Sequence, residues 1–220
     1  MEPEDSLNEV LVKFSKYELN CSNATIRAII HFSDYYWSSS NELAQDMLIT
    51  DDIDRLNCFI KRLLIDVKLF SPQNLCDLSN RLITLIGKES EIIPGARTTL
   101  RWCTNKNLKL ALLSNKNGEV GETLQKNKIA DFFSAIVFAH ELGVWKPNPY
   151  IFYHCISEMN IDKSNCLVVG DSLYSDYYGG LLSGIKTILI DKFRIYKCLG
   201  IRTLGNIQEL GMFLEEHDMI

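Results

Sequence analysis

The stretch Leu167-Val168-Val169-Gly170-Asp171-Ser172-Leu173-Tyr174-Ser175-Asp176 carries the densest chemistry in the chain. An apolar run ends at a glycine, a carboxylate follows at once, and a second carboxylate comes on the next loop. Read as a buried strand and its loop, this sets both acids at the strand's carboxyl end, where open α/β sheets hold ligands. Two carboxylates this close repel each other unless a positive charge stands between them. A hard divalent cation with oxygen ligands meets that need, Mg²⁺ first among them. The plain alternative is a strand followed by a solvated acidic turn, and only the rest of the chain decides between the two.

Two more polar groups follow apolar runs. Ser114-Asn115 ends Leu108–Leu113, and Lys146 follows Ala135–Ala139 within Gly143-Val144-Trp145-Lys146-Pro147. Alone, the first is a turn and the second an exposed loop. Parallel strands bring their carboxyl ends to one edge, so Ser114, Asn115, Lys146, Asp171 and Asp176 can converge there. A hydroxyl beside a backbone N–H suits phosphate oxygens. A lysine supplies positive charge to a phosphoryl group in transfer, and acids hold the Mg²⁺ that neutralises and orients it.

The elements that must position these groups fall into two regions. Up to about Glu91 the sequence reads as helices only. Ser6 with Glu9 forms a capping box, and Leu7, Val10, Leu11, Phe14 and Tyr17 share one helical face. Ile26, Ile29, Ile30, Tyr36 and Trp37 repeat the pattern, as do Ile53, Leu56, Ile60, Leu63, Leu64 and Val67. Ser71-Pro72 starts a further helix through Leu75, Leu78, Leu82 and Ile86. The aromatic run Tyr35-Tyr36-Trp37 is expected in the bundle core. After Ile93-Pro94-Gly95 strands alternate with helices over Glu119–Lys126, Pro149–Met159 and Tyr177–Leu182, with further strands at Cys166–Val169 and Thr187–Ile190. That alternation predicts an α/β class, a doubly wound parallel sheet. The expected domains are a helical one over residues 6–90 and an α/β one over 91–220.

Bulk composition narrows the partners. A hydrophobic content of 46% in 220 residues supports a sizeable core. A net charge of −5 leaves no basic footprint for nucleic acid. No apolar run approaches the roughly 20 residues of a membrane span. Seven cysteines without CxxC spacing indicate neither zinc nor a redox pair. Their odd number fits reduced thiols and a cytoplasmic setting. Oligomeric state is not legible.

These motifs resemble the haloacid dehalogenase (HAD) superfamily. Leu110-Ala111-Leu112-Leu113-Ser114-Asn115 is similar to its second motif, Lys146-Pro147-Asn148-Pro149-Tyr150-Ile151-Phe152 to its third, and Gly170-Asp171-Ser172 through Asp176 to its fourth. The helical region resembles the family's cap. The resemblance implies an Mg²⁺-dependent phosphomonoesterase acting on a small phosphorylated metabolite, such as a sugar phosphate or nucleotide. It implies that Ser114 and the Asn115 backbone bind phosphate, that Lys146 stabilises the charged intermediate, that Asp171 ligates Mg²⁺, and that Asp176 supports the metal or orients Lys146.

The family's first motif is a central apolar strand ending in Asp-x-Asp, whose first aspartate attacks phosphorus and whose second is the acid/base. This sequence offers no such strand: Met1–Asp5 is short, polar and interrupted by Pro3, and Asp34, Asp46, Asp51 and Asp52 end no apolar strand. Losing about ten ladder hydrogen bonds, each worth about 0.5–1.5 kcal/mol net, rivals the stability of a whole domain. Three outcomes stand open: the polypeptide begins upstream, the flanking strands pair directly, or a partner donates a strand. The first is the expectation, with a chain inactive as given. The rival readings are a binding or regulatory module that holds phosphate or Mg²⁺ without chemistry, and a metal-independent haloacid dehalogenase.

Overall fold

The computed structural model describes residues 7–18, 20–38, 45–46, 48–49, 52–66, 92–115 and 119–217. The chain divides into two compact units, Met1–Ser90 and Glu91–Ile220. The Ser6 capping box, Asp51, Val67 and the helix expected after Ser71 lie outside the described residues, as do the side chains of Leu7, Glu9, Tyr17, Asp52 and Ile53.

The first unit is helical where it is described. Helix α1 spans Leu7–Lys13 and runs into a π-turn at Phe14–Glu18, α2 spans Asn23–Trp37 and α3 Asp52–Asp66. Ser22 starts α2 by accepting the Thr25 N–H at 3.2 Å, which satisfies one of the amides a helix start leaves unpaired. Val10, Leu11, Phe14, Ile26, Ile29, Ile30, Ile60, Leu63 and Leu64 are buried, as their spacing requires. Tyr36 is fully buried, with the rings of Trp37 and Phe59 each 4.9 Å away. Tyr35, one position round the helix, is 41% exposed, so the expected aromatic core excludes it: a 100° step turns it off the apolar stripe.

Asp46 is buried and joins this cluster. It takes a bidentate pair from Arg62, both bonds at 2.8 Å, and the Tyr36 hydroxyl donates to it at 2.8 Å. The Arg62 guanidinium, and then the Tyr36 hydroxyl, hold its carboxyl below the usual range. Burial and the neighbouring carboxylate push the Tyr36 phenol well above its ordinary value. Asp46→Ala should therefore cost about 2–3 kcal/mol in urea unfolding, less than the ~3–5 of a fully enclosed pair because Arg62 stays about a third exposed. A depressed carboxyl stabilises above its unfolded value, about 4, and that contribution fades as pH falls through the folded value. The raised phenol contributes below its unfolded value, about 10, and loses that contribution as pH rises further. Wild type should thus be less stable at both extremes, and Asp46→Ala should flatten the acid limb.

The second unit is α/β. Its strands are β1 Ala111–Ser114, β2 Ala135–Phe138, β3 Leu167–Gly170, β4 Lys186–Ile190 and β5 Thr203–Leu204. All pairings are parallel, but they form two sheets among the described residues: β1 with β2, and β3-β4-β5. β1 and β3 do not pair directly, so the closing-up of these strands, one of the three outcomes above, is not what the structure adopts. Both are half-buried along all four residues, whereas Ile188 and Leu189 of β4 are 2% and 0% exposed. Strands inside a parallel sheet are buried on both faces; β1 and β3 are packed like edges.

Side chains alternate between two helical layers, as the period-2 geometry of a strand demands. Leu113 and Val168 face one core with Ile151, Phe152 and Cys155 of the helix Pro149–Met159. Leu167, Val169 and Ile188 face another with Trp102 of Ala96–Asn105 and Leu210, Phe213 and Leu214 of Glu209–Glu216. The two sheets thus share a helix layer although no ladder joins them. Among the described residues no helix is long and apolar enough to cross a membrane, and Cys21, Cys58, Cys103, Cys155, Cys166 and Cys198 are free thiols.

Candidate active site

Lys146 lies in the loop after the short helix Ala139–Leu142 that follows β2, just before the helix that Asn148 caps and Pro149 begins. Its ammonium donates to the Leu113 carbonyl of β1 at 2.9 Å and to Asp176 Oδ1 at 2.6 Å. Both charged side chains are nearly enclosed, at 12% and 10% exposure. Asp176 Oδ2 accepts the Ser172 N–H at 3.1 Å. A buried ion pair needs further hydrogen bonds to offset desolvation, and the Leu113 carbonyl and Ser172 amide supply them. Among the described residues these two acceptors take two of the three ammonium hydrogens, which leaves one to meet an anionic oxygen.

Asn115 joins the same knot. Its Oδ1 accepts the Lys146 N–H at 2.8 Å and its Nδ2 donates to the Lys146 carbonyl at 3.0 Å. Ser114, half-buried, ends β1 beside it. Asp171 stands exposed one residue past β3. Asp176 sits inside a π-turn over Leu173–Tyr178, which begins where the Ser172 hydroxyl accepts the Ser175 N–H at 2.9 Å. The structure therefore brings Lys146, Asn115 and Asp176 into direct contact, with Ser114 and Asp171 at the ends of the strands that carry them.

Some contributors escaped the sequence reading. The Leu113 carbonyl and the Ser172 amide are backbone groups, which no motif advertises. Asp191, one residue past β4, is buried and accepts the Ile195 and Tyr196 amides at 2.8 and 2.9 Å. It ties down its own loop, and an acid after an apolar strand was the signal for it.

Mg²⁺ asks for oxygen donors. Among the described residues no three His, Cys, Asp or Glu side chains gather as a metal cluster, and Asp176 is committed to Lys146 and Ser172. Mg²⁺ nevertheless binds through one or two carboxylates when phosphate oxygens and water complete its shell. The exposed Asp171 meets that requirement. Asp46 is held by Arg62 and Tyr36. Asp52-Ile53-Asp54 has the spacing of a nucleophile motif but opens a helix instead of ending a strand.

The sequence matches the haloacid dehalogenase-like hydrolase family over residues 27–184. It is 35% identical over 97 residues to a glyceraldehyde 3-phosphate phosphatase of Pyrococcus abyssi, covering 44% of this chain and 41% of that protein. It is 28% identical over 145 residues to pyrimidine 5'-nucleotidase YjjG of Escherichia coli, covering 64% of each. The chain spans less than two thirds of the length of either relative. The magnesium-bound HAD-hydrolase YfnB of Bacillus subtilis shares the fold, with a TM-score of 0.59 and 17% identity across 94% of this chain and 91% of that one.

Proposed function

The chain belongs to the haloacid dehalogenase-like hydrolases, and from that membership we propose that it carries the phosphate-binding and charge-stabilising part of a phosphomonoesterase for small phosphorylated metabolites, and that these 220 residues bind phosphate without turning it over. One observation carries this reading: a nearly enclosed lysine ammonium, pinned by Leu113 and Asp176 at the carboxyl end of β1, with one hydrogen left over. The Ser114 hydroxyl and the Asn115 backbone N–H supply neutral donors for the other phosphate oxygens. Asp176 orients Lys146. Mg²⁺ is the metal of this reading, held by Asp171, and when bound it offsets phosphate charge. Residues 6–90 take the role of the family's helical cap. Free thiols support a reducing, cytoplasmic setting. The phosphatase and nucleotidase relatives support the substrate class.

Turnover by this mechanism needs a carboxylate nucleophile, and no strand among the described residues ends in Asp-x-Asp. Titrating inorganic phosphate in the presence of Mg²⁺ should give saturable binding, and Lys146→Met should weaken it about 10- to 100-fold, the worth of one charge-assisted hydrogen bond. Glyceraldehyde 3-phosphate and pyrimidine 5'-nucleotides should remain unhydrolysed by the same sample. Phosphate that fails to saturate, or that binds Lys146→Met equally well, would refute the phosphate site. Hydrolysis by the 220 residues alone would refute their inertness.

A further inference from the structure

We propose that the Asn115 side chain is a positioning residue: it reads the Lys146 peptide on both sides and so fixes where the Lys146 ammonium stands. This rests on the phosphate reading above for its purpose, though not for its geometry. A carboxamide can accept and donate in one plane, and here it does both to a single residue, at 2.8 and 3.0 Å. Those two bonds fix the amide orientation, because the oxygen must face an N–H and the nitrogen a carbonyl. The contact spans 31 positions of sequence, so it ties the residue just past β1 to the loop that carries Lys146. Lys146 is then held at both ends from one short stretch, its peptide by Asn115 and its tip by the Leu113 carbonyl.

The consequence is preorganisation. A lysine side chain loses about 2 kcal/mol of rotamer entropy when it is fixed. Clamping its backbone before any ligand arrives means that less must be lost on binding. It also assigns the two halves of Asn115 to separate tasks. The side chain serves Lys146 through its Oδ1 and one Nδ2 hydrogen, while the backbone N–H is the donor offered to a phosphate.

The test is lysine ammonium NMR on ¹⁵N-labelled protein, with the Lys146 signal assigned by its loss in Lys146→Met. Wild type should show a Lys146 ammonium protected from solvent exchange. Asn115→Ala should lose that protection about tenfold and weaken inorganic phosphate about tenfold, as expected for two lost hydrogen bonds. Asn115→Asp separates the clamp from mere packing. Its carboxylate can accept the Lys146 N–H but sets a second acceptor against the Lys146 carbonyl, so near neutrality it too should lose protection. A protonated carboxyl can do both. Protection should therefore return as pH falls toward about 4, and Asn115→Ala should show no return. Asp176 and Asp171, the other acids at this end of the sheet, are present in both variants, so a difference between the variants belongs to residue 115. Unchanged protection in Asn115→Ala, or identical pH behaviour of the two variants, overturns the inference. If wild type binds no phosphate, the functional reading fails, while the ammonium signals still decide the clamp.

Discussion

Supplying an apolar strand that ends in Asp-x-Asp should give this chain Mg²⁺-dependent phosphomonoesterase activity. The gain should be about 10⁴–10⁶-fold, the size of the loss when other covalent enzymes lose a nucleophile or its partner. β1 and β3 are each four residues long, do not pair with each other, and are half-buried where inner strands are buried. A parallel strand between them could form about eight ladder hydrogen bonds, roughly 4–12 kcal/mol before any burial of Leu112, Leu113, Val168 and Val169. Its carboxyl end would then lie level with Ser114 and Asp171. An extended chain carrying such a strand ahead of Ser6 should melt cooperatively at higher temperature and release phosphate from a phosphoester panel. EDTA should abolish the activity, and so should replacing the first aspartate with asparagine. An extended chain that folds yet hydrolyses no phosphoester sinks the phosphatase reading. Haloacid turnover insensitive to EDTA would favour a dehalogenase in its place.

What the sequence disclosed, and what it hid, follows the range of the forces involved. Glu119–Lys126 and Pro149–Met159 form as predicted, because helix ends are written in neighbouring residues. Asn148 caps the second of these, Pro149 starts it, and Asn160 ends it in the left-handed region at φ 48°. Strand ends are decided by a partner far away in sequence. The stretch Leu108–Leu113 pairs only from Ala111, where β2 meets it, and it extends to Ser114. The expected strand Cys166–Val169 shifts to Leu167–Gly170 in the same way. The helix expected at Tyr177–Leu182 begins as a π-turn at Leu173, since the Ser172 cap acts earlier than the apolar spacing suggests.

The site divides along the same line. Each polar residue could be placed at the end of an apolar run, and so at one edge of a parallel sheet. The specific partnerships could not be read. Lys146 meets Asp176 across 30 positions and Asn115 across 31, and no local pattern carries such information. The family resemblance allows Asp176 two roles, metal support and orientation of Lys146. The geometry spends its oxygens on the lysine and on Ser172.

Gly170→Ala should be among the most damaging single methyl groups that can be added to this chain, for a reason that joins fold and site. A Cβ at position 170 would come within 2.5 Å of Asp176 Cβ and still closer to its Cγ and Oδ2. Real Cβ contacts are not that short, and the obstacle is the root of a nearly enclosed side chain, so Asp176 must move bodily. Moving it breaks the 2.6 Å bond to Lys146 and the 3.1 Å bond from Ser172 together. The ammonium then keeps only the Leu113 carbonyl, at a position 12% exposed. Breaking one partner out of a buried ion pair costs about 3–5 kcal/mol, a large fraction of the 5–15 kcal/mol that stabilises a typical domain. Asp176→Asn keeps the shape and an acceptor but loses the charge, and should cost less, about 1–3 kcal/mol. Gly121→Ala is the control. Its Cβ would meet only the Phe138 ring, no nearer than 3.8 Å, and it lies within the helix Glu119–Lys126. There alanine should be neutral or stabilising by up to about 1 kcal/mol. Urea unfolding of the three variants should rank them in that order. Equal midpoints for Gly170→Ala and wild type would mean that Asp176 does not pack against the glycine, and the pinned lysine on which the phosphate reading depends would lose its anchor.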